Sequence, residues 1–331
     1  MLGTLLPKPL RPALFRMEEA FPPLAVRRLY KPFPYVFQVQ TTSYCNADCV
    51  ICPYPDTAQE IDMGQMKDDL FNKIVDECAR HEVHVFEPFL MNEPLMDRKF
   101  PERLDTIRGK MPKAVIQVDT NLSLLTDDAA KSLLRNVDRL LISAHGINAA
   151  DFEAVMPKVR FPKFMENLEK LLALPRGRAH IRVNCVNVRG ADEGRIRAFW
   201  ESRGLTVGIS PYVDRAGNVK EDATAKAGRH GIAHVHAKSV APPRLNGCWN
   251  ADIPLMKMNI VHNGDVILCC MDWRRAEVLG NVREQTIEEV WRSSAYWRVR
   301  DALYGGGPIH GNFLCFKCKN GNPGGRHTKF W

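Results

Sequence analysis

The sequence lacks an apolar run long enough to cross a bilayer, and its first 33 residues lack a signal-cleavage pattern. Because a spanning helix needs about 20 consecutive apolar residues, we expect a cytoplasmic protein without a transmembrane segment. The sequence also lacks a concentrated basic arm, since the residues behind its net charge of +8 are scattered. No nucleic-acid-binding motif accompanies that charge, so nucleic acid is not an expected partner.

Cysteine, by contrast, is plentiful, with ten residues in the chain. In a cytosolic protein this number argues against structural disulfides and for metal or redox chemistry. The cysteines fall into an N-terminal set, a C-terminal set and two isolated residues: Cys45, Cys49 and Cys52; Cys248, Cys269, Cys270, Cys315 and Cys318; Cys78 and Cys185. We expect Cys78 to be a core residue, because it continues the apolar face of a helix.

Between residues 34 and 215, β-rich runs alternate with segments of helical periodicity, which predicts an α/β fold built on a parallel sheet. The predicted strands are 35–41, 83–90, 114–120, 139–144, 180–188 and 205–212. The predicted helices are 66–81, 126–136, 164–174 and 192–202. The pattern predicts a partial (β/α)6 barrel over 34–215, preceded by an extension (1–33) and followed by a linker (216–247) and a small C-terminal domain (248–331).

The N-terminal cysteines follow the first predicted strand directly, with the spacing Cys45-x3-Cys49-x2-Cys52. The carboxyl ends of parallel strands are where such folds carry their chemistry. Three thiolates at this spacing can hold three irons of a 4Fe-4S cluster and leave the fourth iron open. A structural zinc site would need a fourth protein ligand, for example the distant His81, and this alternative stays open.

This cysteine motif resembles the cluster motif of the radical SAM superfamily. The resemblance implies that the open iron binds S-adenosylmethionine (SAM) and that its reductive cleavage yields a 5'-deoxyadenosyl radical. The segment Met91-Asn92-Glu93-Pro94 resembles the Gly-Gly-Glu-Pro segment that holds the SAM ammonium group, although both glycines are replaced. Asn92 and Glu93 are therefore candidate SAM ligands, with a helix-capping turn as the alternative.

Alternation along the strands predicts which side chains face the lumen of the barrel. It groups Gln38 and Gln40; Gln117, Asp119 and Asn121; Ser143 and His145; Arg182 and Asn184; Ser210 and Tyr212. A structural barrel would fill its lumen with apolar side chains, so a polar lumen predicts a ligand site. By resemblance to the family, Ser143 and Asn184 would contact SAM.

The C-terminal set combines Cys248, a hairpin signal at Asn263-Gly264, Cys269 beside Cys270, a helical pattern over 286–297, and Cys315-x2-Cys318. The spacing alone fits a zinc ribbon or an iron-sulfur cluster equally well. The set resembles the Twitch version of the SPASM extension, which implies that Cys248, Cys269, Cys315 and Cys318 bind one auxiliary 4Fe-4S cluster. Cys270 could replace Cys269, be a spectator or donate a hydrogen atom. His230, His234 and His236 are expected to be loop residues.

The expected reaction, drawn from relatives with one auxiliary cluster, is oxidation of a secondary alcohol on a small polar or sugar-like molecule. His145, Asp119 and Arg182 are the candidate proton acceptors, because the pattern places them in the lumen. A flavodoxin or ferredoxin would supply electrons. The alternatives are an epimerase in which Cys270 donates a hydrogen atom, a peptide-modifying maturase, and a non-enzymatic binding protein whose fold is stabilised by zinc.

Overall fold

The computed structural model of the chain describes residues 30–188, 190–213, 215–219, 245, 247–248, 253–304 and 307–318. Most of the predicted N-terminal extension and most of the predicted linker lie outside these residues, as do His230, His234 and His236. No helix of the described residues is both long and apolar enough to cross a membrane.

The strands form one sheet. Their bounds are β1 Val36–Val39, β2 Val85–Glu87, β3 Val115–Thr120, β4 Arg139–Ser143, β5 His180–Val186, β6 Thr206–Ser210, β7 Lys257–Ile260, β8 Asp265–Ile267 and β9 Val278–Asn281. In the described part of the chain the spatial order is β6-β5-β4-β3-β2-β1-β7-β8-β9. Neighbours among β1 to β6 pair in parallel. This open sheet confirms the predicted α/β partial barrel.

Helices connect the parallel strands and continue after them. Their bounds are α1 Tyr54–Thr57, α2 Asp68–Ala79, α3 Phe100–Lys110, α4 Asp127–Asn136, α5 Ala149–Val155, α6 Phe161–Leu172, α7 Glu193–Glu201, α8 Ile253–Met256, α9 Ile287–Trp291 and α10 Ser294–Tyr304. Helix α2 buries an apolar face that includes Cys78, which is fully buried as expected. The side chains of Thr126 and Asp192 cap α4 and α7, which fixes where these helices begin.

The C-terminal strands extend the barrel sheet. Strand β7 pairs in parallel with β1, with Val36 opposite Lys257, and β8 returns antiparallel to β7 through the predicted turn. Gly264 in that turn has a φ of +97°, a conformation that glycine adopts without strain. The C-terminal residues are therefore continuous with the sheet that carries the N-terminal cysteines.

The helix predicted over 286–297 is two helices. Thr286 and Glu289 form a capping box at the start of α9. The chain then breaks at Ser293, whose hydroxyl accepts a hydrogen bond from the Tyr296 backbone N–H and so begins α10. Helix α10 continues to Tyr304, beyond the predicted end. Both helices pack their apolar faces into the core, so the apolar residues stay buried on both sides of the break.

Candidate active site

The N-terminal cysteines lie in the loop between β1 and α1, at the carboxyl edge of the sheet. The Tyr54 hydroxyl holds this loop by accepting a 2.8 Å hydrogen bond from the Cys45 backbone N–H. Burial raises the pKa of Cys45 to about 12, and it also raises the pKa of Cys49 and Cys52. The other two thiols further raise the pKa of Cys49, which shows that the three lie near one another.

Such thiols fit a metal cluster. Buried cysteines stay protonated unless a nearby positive charge stabilises the thiolate, and a coordinating metal supplies that charge. Cys45, Cys49 and Cys52 therefore fit three ligands to one iron-sulfur cluster.

Glu93 links three segments of the chain by hydrogen bonds. Its carboxylate accepts hydrogen bonds from the Leu95 backbone N–H at 3.1 Å, the Thr120 hydroxyl at 2.6 Å and the Asn121 backbone N–H at 2.7 Å. Its own backbone N–H donates to the Tyr44 carbonyl beside the cysteine loop at 3.1 Å. Burial raises the Glu93 pKa to about 7. The side chain also caps the short 3-10 helix Pro94–Met96, which is the capping alternative considered above.

Only one of the two polar atoms in the Asn92 side-chain amide has a hydrogen-bond partner among the described residues. Its Oδ1 accepts a 2.9 Å hydrogen bond from the Leu90 backbone N–H, which fixes the orientation of the side chain. Its Nδ2 is buried and has no hydrogen-bond partner among the described residues. A buried donor without a partner is costly, so this amide is a candidate to meet an acceptor on a ligand.

Asp119, Ser143 and Asn184 meet in the lumen, as strand alternation predicts. The Ser143 hydroxyl donates a 3.0 Å hydrogen bond to Oδ1 of Asp119, and Asn184 is within hydrogen-bonding range of the same carboxylate. Burial raises the Asp119 pKa to about 6, and these two hydrogen bonds limit the rise. The result is a buried carboxyl that changes its charge near neutral pH.

His145 is a weaker proton acceptor than the sequence indicates. Its Nδ1 accepts a 3.1 Å hydrogen bond from the Val186 backbone N–H. Burial lowers its pKa to about 4, so the ring is neutral and its remaining hydrogen is on Nε2. In this state His145 can donate a hydrogen bond into the cavity but has no lone pair available to accept a proton.

The lumen is also polar where β3, β2, β1 and β7 lie side by side. Lys257 Nζ contacts the Glu87 carboxylate at 2.6 Å, and Gln117 donates to the same carboxylate at 3.2 Å. The side-chain oxygens of Gln38, Gln40 and Asn259 are buried without hydrogen-bond partners in the described part of the chain. This layer differs from the branched apolar layers of a structural barrel.

The sequence analysis did not identify Arg215, which lies in the turn after β6. Burial is the main influence on the pKa values of Cys52, Asp119 and His145, and the positive charge of Arg215 lowers all three as a lesser influence. The guanidinium therefore lies near groups that come from three different parts of the sheet edge. The only sequence signal was a short polar turn ending in Gly217-Asn218.

The C-terminal cysteines also lie near one another. Burial raises the pKa of Cys315, and Cys318 and Cys248 raise it further. Burial likewise raises the pKa of Cys269, with contributions from Cys270, Cys315 and Cys318. Cys269 thus lies near the closing pair, which favours it over Cys270 as the ligand. The thiols of this set fit a second cluster by the same argument about charge.

Ligands to a single metal ion must lie closer together than thiols that bind separate irons of a cluster. A zinc ion binds thiolates at about 2.3 Å, which draws the sulfur atoms to within about 4 Å of one another. Among the residues that the structure describes, no three histidine, cysteine or acidic side chains are gathered closely enough to hold a single metal ion.

Comparison with known sequences identifies two domains. The sequence profile of the radical SAM superfamily matches residues 39–198. The profile of the SPASM iron-sulfur cluster-binding domain matches residues 248–319. Together they account for both cysteine sets and imply 4Fe-4S clusters. No curated protein sequence matches the chain.

Several solved structures share the fold. SuiB of Streptococcus suis bound to precursor peptide SuiA is 16% identical, with 89% of this chain and 72% of that chain covered at a TM-score of 0.64. The protein anSMEcpe with bound AdoMet (SAM) is 16% identical, with 86% of each chain covered at 0.58. BtrN in complex with AdoMet and 2-DOIA is 15% identical, with 82% and 87% covered at 0.52. At these identities the likeness concerns the fold alone.

Proposed function

This chain belongs to the radical SAM superfamily and carries a SPASM domain, and we propose that it oxidises a secondary alcohol of a small polar substrate to a ketone. The observation that carries this proposal is the Asp119 carboxyl on the lumen side of β3, which accepts a hydrogen bond from the Ser143 hydroxyl and whose pKa burial raises to about 6. A general base works best when its pKa is near the working pH.

Each cysteine set has its own role in this proposal. Cys45, Cys49 and Cys52 would hold the first 4Fe-4S cluster, which together with SAM supplies the 5'-deoxyadenosyl radical that removes a hydrogen atom from the substrate carbon. Cys248, Cys269, Cys315 and Cys318 would hold the second cluster, for which full ligation by protein favours electron transfer. A reduced flavodoxin or ferredoxin would supply electrons, and a cytoplasmic location would suit both clusters.

The SAM contacts are proposed from the same cavity. The unpartnered Nδ2 of Asn92 would donate to an acceptor on SAM. Ser143 and Asn184 line the neighbouring strands, and either could contact SAM while it orients Asp119. Glu93 would act by holding the loop after β2 against the cysteine loop, because its carboxylate already accepts three hydrogen bonds from the chain.

Asp119 is the preferred proton acceptor among the three candidates. Loss of a hydrogen atom, a proton and an electron converts the alcohol to a ketone, and the proton must leave the hydroxyl group. Asp119 can accept it, whereas His145 uses its Nδ1 lone pair for the Val186 N–H, and an arginine such as Arg182 stays protonated.

The second candidate function is peptide modification. The chain shares its fold with SuiB, whose structure contains a precursor peptide. The open sheet would give an extended peptide access to the lumen, as it would a small molecule. Product analysis separates these two substrate classes.

The test is anaerobic reconstitution followed by incubation with candidate substrates in deuterated water. A ketone without solvent deuterium supports oxidation. An inverted centre with one deuterium supports the epimerase, for which Cys270 is the candidate donor. A modified peptide supports the maturase, and zinc without iron or sulfide would favour the binding protein.

A further inference from the structure

The backbone that leads into the first cysteine is held by a second stretch of chain. The Ser43 backbone N–H and the Ser43 hydroxyl both donate to the Gly64 carbonyl, at 2.9 and 3.0 Å. The Gly64 N–H donates back to the Ser43 hydroxyl at 2.6 Å, and Thr42 forms an antiparallel bridge with Gln65. Ser43 is two residues before Cys45, so Gly64 fixes the point at which the cysteine loop begins.

Gly64 is itself covered by His262, which follows β7 in the C-terminal domain. A Cβ atom at position 64 would come within 2.8 Å of Nε2 and 2.9 Å of Cδ2 of the His262 ring. Gly64 does not have a positive φ, so the space taken by the ring, and not the backbone conformation, is what requires glycine here. His262 is buried, and its Nε2 lies 3.3 Å from Oδ2 of Asp62, which orients the ring against this segment.

The same part of the C-terminal domain contacts the other end of the cysteine loop. Three of its side chains form a small buried apolar cluster with Met91, namely Val261, Ile267 and Trp273. Cys52 and Tyr54 pack against that cluster, and the Tyr54 hydroxyl accepts the hydrogen bond from the Cys45 N–H. The cysteine loop therefore lies between two contacts with the C-terminal domain, one at each end.

These contacts matter because the loop has little structure of its own. Residues 43–52 contain neither helix nor strand, so their conformation depends on the segments packed against them. Glycine has more backbone freedom than any other residue, and the His262 ring limits that freedom at Gly64. Without the ring, the hydrogen bonds between Ser43 and Gly64 would open more often.

We propose that His262 is a positioning residue for the first cluster: it holds Gly64, and through Ser43 it fixes the approach of the chain to Cys45. The C-terminal domain then supports SAM cleavage through this contact, in addition to carrying its own cysteines. The inference rests on the proposed role of the N-terminal cysteines as cluster ligands, and it does not depend on which substrate is oxidised.

Hydrogen exchange of the reconstituted holoenzyme, followed by mass spectrometry, tests the contact. H262A removes the ring, so the backbone N–H groups of residues 42–46 should exchange about tenfold faster than in the native protein. H262Q keeps a polar side chain over Gly64 and should lie between the two. Exchange in β5, five strands away from β7 in the sheet, reports that each variant is folded. Native exchange of residues 42–46 in H262A would overturn the proposal.

H310A is the matched control for H262A. It removes another histidine of the C-terminal domain whose Nε2 contacts a carboxylate, that of Glu277, at 2.7 Å. Residues 42–46 should exchange in H310A as they do in the native protein. An equal effect of H310A and H262A would show that any disturbance of this domain loosens the loop, which contradicts a specific role for His262.

A pair of variants tests the close approach of the ring to Gly64. G64A adds a methyl group that collides with the ring, so residues 42–46 should exchange faster. In G64A/H262A the methyl group has room, so exchange should be no faster than in H262A. If G64A has the same effect with and without the ring, the ring does not act on Gly64 and the proposal is wrong. H262Q and G64A leave no cavity, so they keep the test valid if H262A does not fold.

The affinity for SAM separates positioning from a purely structural role. The SAM concentration that half-converts the electron paramagnetic resonance spectrum of the reduced holoenzyme should be about tenfold higher in H262A, which is one unit of log affinity. It should be intermediate in H262Q and unchanged in H310A. Faster exchange in H262A with native affinity for SAM would show that the contact stabilises the fold without positioning the cluster, and would overturn the proposal.

The experiments distinguish failure of this inference from failure of the proposed function. If the native protein assembles no cluster at the N-terminal cysteines, the proposed function fails, while hydrogen exchange still decides whether His262 holds residues 42–46. If the native protein cleaves SAM but H262A and G64A exchange and bind SAM as the native protein does, the positioning role is wrong and the proposed function stands.

Discussion

The Ser143 hydroxyl donates a 3.0 Å hydrogen bond to Oδ1 of Asp119, from strand β4 to the neighbouring strand β3. Both side chains face the lumen because each lies on the inner parity of its strand. The hydrogen bond favours the ionised carboxylate and opposes the effect of burial on the Asp119 pKa. Burial is thus the main influence on the Asp119 pKa, and the Ser143 hydrogen bond is the largest of the influences that lower it.

Replacement of Asp119 by asparagine should separate radical formation from product formation. D119N keeps the shape of the side chain but cannot accept a proton, so ketone formation should fall by about 100-fold or more. Formation of 5'-deoxyadenosine should continue, since Asp119 holds neither cysteine set. The measurement is the ratio of ketone to 5'-deoxyadenosine by mass spectrometry. An unchanged ratio would show that another group takes the proton.

The pH profile should follow ionisation of Asp119. Because its pKa is about 6, the carboxylate form predominates above that pH, and kcat/KM for ketone formation should fall tenfold per unit below it. S143A removes a hydrogen bond that lowers this pKa, so the acid limb should move to higher pH. S210A, on the lumen parity of β6, is the matched control and should leave the limb in place. A limb that does not respond to S143A would assign it to a different group.

Strand alternation predicted the lumen side chains, and local patterns predicted the parallel strands, because both signals lie within short segments of sequence. The pairing of Val36 with Lys257 could not be predicted, since no local pattern specifies a partner more than 200 residues away. Helix α3 was also missed, because it is weakly amphipathic. Arg215 was missed because its position depends on Asn218 contacting the Met271 carbonyl, a tertiary contact.

Glu93 should matter for stability as well as for the site. E93Q replaces one acceptor oxygen by an amide that cannot satisfy the donors from Thr120, Asn121 and Leu95 together. Leaving a buried donor unsatisfied costs about 1–3 kcal/mol of the free energy of unfolding. Denaturant unfolding of the metal-free protein measures this loss. E102Q, on the solvent side of α3, is the control, and equal stability of the two variants would contradict the role given to Glu93.

Arg300 should anchor the C-terminal helices through its ring contacts. Its guanidinium carbon lies between 4.3 and 4.9 Å from the centroids of four rings: Tyr30, Trp291, Tyr296 and Trp297. It also donates to the carbonyls of Pro254 and Trp291 at 2.8 Å. R300K keeps the charge but loses the planar group, and should lower the free energy of unfolding by about 2–4 kcal/mol. R298K, on the exposed face of α10, should change it little.

Removing one cysteine set should leave the other loaded. If each set holds one cluster, C315A/C318A should lower the iron content from about eight to about four atoms per chain. SAM-dependent formation of 5'-deoxyadenosine should persist, because the N-terminal set is intact, while ketone formation should stop for want of an electron acceptor. C78A is the matched control, since that thiol is buried in the core on α2.

Comparison of C269A with C270A then identifies the ligand. Loss of iron in C269A alone agrees with the position of Cys269 near Cys315 and Cys318, and loss in C270A alone contradicts it.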